Sequence, residues 1–486
     1  MPNQSTTSNS APVRFSILAC SLLSFILLAS QTSPAHAVEP KEYTLSNDMK
    51  VILVEVPKAP VATVQVWYKV GSRNEVMGRA GVSHMLEHMM FKGTAKYPKG
   101  TFSRLVRKNG GMDNAFTSQD FTAYFENLAA DRVTLALELE ADRMQGLILD
   151  ANEFKTEREV VKEERRLRNE DDPQGALVEA LFAQAFMSHP YHWPVIGWFS
   201  DLDAMNLDDL QRHYDTYYSP NNATLIVVGD IKADTLLPTI AKLFEPIPKG
   251  PSPKPLAVTE APQHGERRFL LKREAQVPFV MMGYRVPNYS SDDSYALNVL
   301  ESILSHGKSA RLYQSLVYEQ KTALAVGADY GLMQADPGLF YFYAVVKPGE
   351  KVEAVEDAVL KEIQRIQAEP PSELELQRAK NQIEAAHIFE QDSNFRQAML
   401  LGEAETIGAG WRKVSQFVER TRAVTAQDVQ RAASHYLAAD LRTTGTLIPQ
   451  PPQTQDACAH VKPLGLHGQF AESQGIQIMI ETPLLQ

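Results

Sequence analysis

Cysteine is nearly absent from this chain. Its 486 residues include only Cys20 and Cys458, and Cys20 lies in an N-terminal stretch with the marks of a removable leader. A single remaining cysteine cannot close an internal disulfide, so the fold must rest on its cores. No cysteine cluster is available for a metal either, which leaves nitrogen and oxygen ligands. Excess positive charge is also missing. The formal net charge is −11, which removes the electrostatic case for nucleic acid. Beyond the N-terminal stretch no apolar run is long enough to span a bilayer. What is present is an ordinary globular balance, 44% apolar and 22% charged, in a chain too long for one compact core.

The N-terminal stretch has one charge, Arg14, before the apolar run Phe15 to Ser30, and then the small-x-small triplet Ala35-His36-Ala37. This is the pattern of a secretory signal peptide, 1–37, cut after Ala37. An uncleaved anchor is the alternative, but the run is short for a span. Export implies a secreted, periplasmic location and no stable membrane span.

A proline-rich stretch starting at Pro246 interrupts the chain near its middle, and polar sequence follows to about Arg267. Proline at that density stops helices and central strands, so 246–267 reads as a semi-rigid linker. The sequences on its two sides resemble each other. Val61/Val277, Val64/Val280, Tyr68/Tyr284, Lys69/Arg285 and Val70/Val286 share one register, and Asp209-Leu210-Gln211-Arg212 matches Asp428-Val429-Gln430-Arg431. This is read as a tandem duplication. The expected organisation is a first unit at 38–245, a similar second unit at 268–449 and a tail at 450–486 without a derivable role. Each unit mixes strands and helices irregularly. A hairpin is expected over Tyr43 to Val56, helices over Ala80 to Phe91, Ala130 to Leu149 and Ala151 to Asn169, and a strand over Asn222 to Val228. Sheets with helices on one face give an α+β class.

His84-Met85-Leu86-Glu87-His88 carries the chemistry. On a helix, residues four apart share a face, with the residue three along beside them. Two imidazoles so placed can reach one zinc ion, and Glu87 can take a proton from a water there. The order H-x-x-E-H is the inverse of the commoner zinc-peptidase motif. A third ligand is still needed. The predicted helix from Glu153 onward offers Glu153, Glu157, Glu159, Glu163 and Glu164; Glu157 and Glu164, seven apart, share a face. Periodicity alone does not choose among Glu157, Glu163 and Glu164, and a solvated charged helix is the plain alternative.

The run from Gly81 to Thr94 resembles the signature of the pitrilysin and mitochondrial processing peptidase family. Gly110 to Thr117, Glu157 to Glu164 and His189-Pro190-Tyr191 match the same family in order. The resemblance covers roughly 40–450. It implies Glu164 as third ligand, Glu157 as an accessory glutamate supporting the site, and Glu87 as catalytic base. It also implies one zinc per chain, and Asn114 and Ala115 on a substrate-binding edge strand where a peptide adds as an extra strand. By the repeat, His84, Glu87 and His88 meet Asn298, Glu301 and Ser302, and Glu164 meets approximately Ala386, so the second unit should bind no metal.

One departure from the family stands out. Val317 and Leu324 occupy the places of an Arg and a Tyr that often help to hold substrate. In some relatives a partner subunit carries that pair. The resemblance therefore implies a heterodimer with a homologous non-catalytic subunit, or a homodimer, with Arg311 or Tyr318 as a local substitute in the alternative. The expected activity is endopeptidase action on short or unfolded peptides. A non-catalytic core-like structural subunit and a peptidase dedicated to maturing one precursor are the other readings.

Overall fold

The computed structural model describes residues 39–451. The expected signal peptide 1–37 and nearly all of the tail 450–486 lie outside the described residues.

The first part of the chain runs β1 (Lys41–Thr44), β2 (Lys50–Glu55), β3 (Val61–Tyr68), α1 (Val82–Met89), α2 (Thr101–Lys108), β4 (Met112–Thr117), β5 (Thr122–Ala129), α3 (Val133–Gly146), α4 (Ala151–Arg165), α5 (Pro173–Ala185), α6 (Phe199–Ala204), α7 (Leu207–Tyr217), β6 (Ala223–Gly229) and α8 (Ala233–Phe244). The second runs β7 (Arg267–Glu274), β8 (Phe279–Val286), α9 (Asp293–Ser305), β9 (Ala323–Tyr330), β10 (Gly338–Val346), α10 (Val352–Ala368), α11 (Glu373–Glu390), α12 (Asn394–Thr406), α13 (Arg412–Ala423), α14 (Ala426–Tyr436) and β11 (Arg442–Gln450). The class is α+β.

The strands form two sheets, in the orders β1-β2-β6-β3-β5-β4 and β7-β11-β8-β10-β9. Without β1 the two orders are the same topology. In each, the first strand pairs in parallel with the last, and the remaining pairs are antiparallel. The matching segments of sequence fall on matching strands, β3 and β8. Helices α7 and α14 also correspond, and each opens with a capping box, Asn206 with Asp209 and Thr425 with Asp428. The hairpin β1–β2 turns through Asp48 in the left-handed region, φ 66°.

Helices cover both faces of each sheet, not one. On one face of the first sheet, Val51, Val64, Tyr68 and Leu225 pack with Leu86, Leu137 and Leu210 of its own helices. On the other face, Ile52, Val54, Trp67 and Ile226 pack against Ala398 and Leu401 of α12, which comes from the second half of the chain. The second sheet receives the reciprocal cover: Leu177 and Leu181 of α5 pack on Phe279, Met281 and Leu447. Such exchange explains why β6 is buried along its whole length, since a run without polar alternation must have apolar neighbours on both sides. Close approach of α12 depends on Gly402, where a Cβ would fall inside the Trp67 indole.

The proline-rich segment has neither helix nor strand over 248–264, yet side chains tie it down. Gly250 donates its amide to Asn221 at 2.8 Å, and the Glu260 carboxylate accepts from the amides of Met187, Ser188 and His189, each at 2.8 Å. No helix among the described residues is long and apolar enough to cross a membrane.

Candidate metal centre

Helix α1 begins at Gly81, whose φ of +92° suits glycine and where a Cβ would strike the Ile196 carbonyl. With no side chain at the cap, the helix start is satisfied from elsewhere. Buried Glu75 accepts from the amides of Gly81 at 2.6 Å and Ser83 at 2.8 Å, so a carboxyl group stands at the positive end of the helix. The Ser83 hydroxyl lies 3.1 Å from His213 Nε2 on α7. Met85, Leu86 and Met89 are buried, which turns His84 and His88 towards α4.

Helix α4 is capped by Asp150, whose carboxylate accepts from Asn152 and Glu153. Phe154, Glu157, Val161 and Arg165 are buried, whereas Val160 is exposed. Arg165 anchors the end of the helix. Its guanidinium lies 5.3 Å from the ring centres of both Trp198 and Phe199 and pairs with Glu179 at 3.0 Å. That packing separates the carboxylates that periodicity left equivalent. Glu153 turns to Lys99, Glu159 to Lys162 and Glu163 to Arg166. Glu157 and Glu164 face α1.

The ligating atoms of His84, His88 and Glu164 all lie within 4.8 Å of one another, and no other such trio of His, Cys, Asp or Glu occurs among the described residues. Glu164 Oε1 is 3.7 Å from His84 Nε2, and its Oε2 is 3.3 Å from His88 Nε2. His84 Nδ1 is buried without a hydrogen-bond partner among the described residues. His88 Nδ1 is 3.0 Å from Glu157 Oε1, and the other Glu157 oxygen pairs with Lys92. Glu164 also pairs with Arg168 at 2.8 Å. Glu87 accepts a hydrogen bond from the Thr117 hydroxyl at the end of β4.

The electrostatics follow from burial and these neighbours. Burial, helped by adjacent His88, drives His84 down to about 3, leaving a neutral imidazole. Burial also opposes charge on His88, but hydrogen bonds to Glu157 and Glu164 outweigh it and lift that ring to about 9. Glu164 resists burial through His88, His84 and Arg168 and falls to about 2. Glu157 is likewise lowered against burial, by His88 and Lys92. Burial raises the Glu87 carboxyl, only partly offset by His88 and Thr117. The Nε2 atoms of His84 and His88 converge on the Glu164 carboxylate, and two imidazole nitrogens with one carboxylate fit a divalent cation of the zinc type.

Asn114 and Ala115 lie on β4, an edge strand of the first sheet, paired with Phe125 and Tyr124 of β5. Ala115 is buried and donates its amide to Asn114 Oδ1 at 2.9 Å. In the second half, Val317 is partly buried, while Leu324 stands exposed on the edge strand β9. Arg311 is held bidentately by Glu375, at 2.7 and 3.1 Å, and Tyr318 is exposed.

Lys92, Arg168, Thr117 and Glu75 also belong to the site, and the sequence motifs did not single them out. Lys92 and Arg168 each sit four residues after a site residue, a spacing that could have found them. Thr117 and Glu75 are brought in by the sheet and by the loop before α1, and no local spacing marks them.

Residues 50–197 match the family model described as insulinase (peptidase family M16), and residues 204–383 match that of the peptidase M16 inactive domain. "Zinc protease PqqE" of Helicobacter pylori is 32% identical over 90% of this chain and 99% of its own. The "Probable mitochondrial-processing peptidase subunit beta" of Arabidopsis thaliana is 26% identical over 85% of this chain and 78% of its own. The crystal structure of a protease from Helicobacter pylori, 32% identical, superposes with a TM-score of 0.81 over 85% of this chain and 100% of that one.

Proposed function

We propose, from the premise that the chain belongs to the insulinase (M16) peptidase family and to its processing-peptidase-like members, that it is a zinc-dependent endopeptidase acting on short or unfolded peptides. The observation that carries this reading is the meeting of His84, His88 and Glu164, from two helices, beside Glu87. These three residues would hold one zinc per chain. Zinc bound there supplies Lewis acidity, which polarises a peptide carbonyl and makes a water easier to deprotonate.

The chain's own residues do the rest. Glu87, whose proton affinity is raised by burial, takes the proton of the attacking water and returns it to the leaving amine. Thr117 holds the Glu87 carboxylate in place through its hydroxyl. Glu157 accepts from His88 Nδ1 and fixes the ring orientation, and Lys92 keeps Glu157 ionised. Asn114 and Ala115, on the outer strand β4, would align the peptide by main-chain hydrogen bonds.

The same proposal includes a homologous partner subunit. Val317 and Leu324 offer neither the guanidinium nor the phenol expected there, and Arg311, the nearest cation in sequence on the N-terminal side of Val317, is engaged by Glu375. It also includes export to the periplasm, supported by the apolar run and the Ala35-His36-Ala37 triplet.

The test is cleavage of a quenched fluorescent peptide pool by the purified chain, with zinc counted per chain and Glu87→Gln as control. Zinc-dependent cleavage lost in the control upholds the peptidase and shows that no partner is obligatory. One zinc per chain without cleavage directs the search to the missing subunit. Neither zinc nor cleavage would return the chain to the structural-subunit reading. N-terminal sequencing of the protein recovered from cells checks the cut after Ala37.

A further inference from the structure

The place of the metal site is not packed shut in the second half. Helix α9 packs against α11 and α14 as α1 packs against α4 and α7. Between α1 and α4, two imidazoles and a carboxylate fill the space. Their counterparts between α9 and α11 are Asn298, Ser302 and Ala386. A cavity of about 410 Å³ lies there, lined by Asn298, Ala386, Met333, Leu400 and Phe417, with His387 and Glu390 also on its wall. Well-packed interiors hold few voids larger than a water molecule, whereas apolar cavities of this size are typical of ligand sites.

The walls of the cavity connect it to the first half. Leu332 and Met333 begin a loop whose next residues dock beside the end of β4. Ala335 donates its amide to Asp120 at 3.1 Å, Gln334 reaches Gln119 at 3.4 Å, and Asp336 pairs with Arg73 and with His189. Gln119 follows Thr117, the residue that contacts Glu87, by two positions. A peptide laid along β4 and continuing past Thr117 meets this loop within roughly three to five residues, at about 3.3 Å each.

We propose that the cavity between α9 and α11 is a remote subsite that takes one large apolar side chain of the peptide being cut, of the leucine, methionine or phenylalanine class. The proposal rests on the peptidase reading above. The mostly apolar walls favour such a side chain, and the Asn298 amide on the cavity wall can accept from or donate to the peptide backbone. The subsite would make the second half a reader of sequence at a distance from the bond that is cut.

The test compares two quenched fluorescent peptides, identical around the cleaved bond and differing at one remote position, Phe or Ser. The wild-type chain is expected to cut the Phe peptide with about tenfold higher kcat/KM, and Ala386→Trp, which fills the cavity, to bring the ratio close to one. Phe417→Ala, which enlarges it, should move the preference towards Trp and guards against a misfolded Ala386→Trp protein. Fluorescence anisotropy of the same peptides on the Glu87→Gln chain should show the same tenfold ratio in Kd without turnover. Glu87-dependent cleavage with a ratio unchanged by both variants overturns the subsite alone. Cleavage that survives Glu87→Gln, or a wild type that neither holds zinc nor cleaves, overturns the peptidase reading and the subsite with it; where zinc is held without cleavage, an equal Kd for the two peptides on the Glu87→Gln chain overturns the subsite.

Discussion

The two halves of this chain share a framework and differ in what it holds. Five strands run in the same order in both sheets, and equivalent helices lie on them. In the first half the crossing of α1 and α4 presents His84, His88, Glu164 and Glu87. In the second the crossing of α9 and α11 presents Asn298, Ser302, Ala386 and Glu301, with a cavity beside them. The framework tolerates this exchange because it rests on apolar layers such as Val280, Leu300 and Phe342, which do not include the site residues. A constellation of three or four side chains thus decides chemistry, and the fold around it is indifferent to their loss.

The largest effect should come from exchanging the same residue type in the two halves. Glu87→Gln is expected to lower kcat by about 10²- to 10⁴-fold, the usual worth of a positioned general base, with zinc content unchanged. Glu301→Gln should leave kcat within about twofold. Steady-state cleavage and metal analysis of both variants decide this, and equal losses would break the comparison.

Next is the charge buried in the core of the first half. Arg143 pairs with Glu140, approaches Glu126 at 3.7 Å, and lies over the rings of Tyr124 and Phe102. Arg143→Met leaves two buried carboxyl groups without their cation and should cost about 3–5 kcal/mol in denaturant unfolding. A loss below about 1 kcal/mol would mean that the cluster is not held as described.

A smaller effect is expected from the residue behind the ligand. Glu157→Gln keeps the shape but weakens the hold on His88, and zinc affinity measured by chelator competition should fall about 10- to 100-fold. An unchanged affinity would reduce Glu157 to a packing residue.

The smallest effect sharpens the contrast through pH. Burial, with Asp329 nearby, holds the Glu301 carboxyl well above its ordinary 4.5. The folded state therefore keeps this proton to higher pH than the unfolded chain does. Its contribution to stability is full below pH 4.5 and is lost as pH rises through the folded value. Glu301→Gln, a mimic of the protonated form, should match the wild-type melting temperature below pH 4.5 and exceed it by on the order of 2 °C near neutrality. A difference that does not grow with pH would sink this assignment.

Much of the molecule is legible from residue order. The pairing of His84 with His88 follows from the helix repeat alone. The duplication is visible in two short registers, and the proline-rich break between them in composition. The scarcity of cysteine by itself limits the metal donors to nitrogen and oxygen. These features are local, fixed by backbone periodicity or by the chemistry of single residues. The choice of Glu164 from the acidic run is not local in this sense. Resemblance to a family implies it, but only the packing of α4, through Phe154, Val161 and the anchored Arg165, turns Glu157 and Glu164 towards α1 and the other carboxylates away. Tertiary structure likewise decides the exchange of α5 and α12 between the sheets, the contact of Thr117 with Glu87, and the cavity between α9 and α11. Each joins residues far apart in the chain, and which faces meet is settled by the shapes that fill the cores, not by any spacing along the sequence.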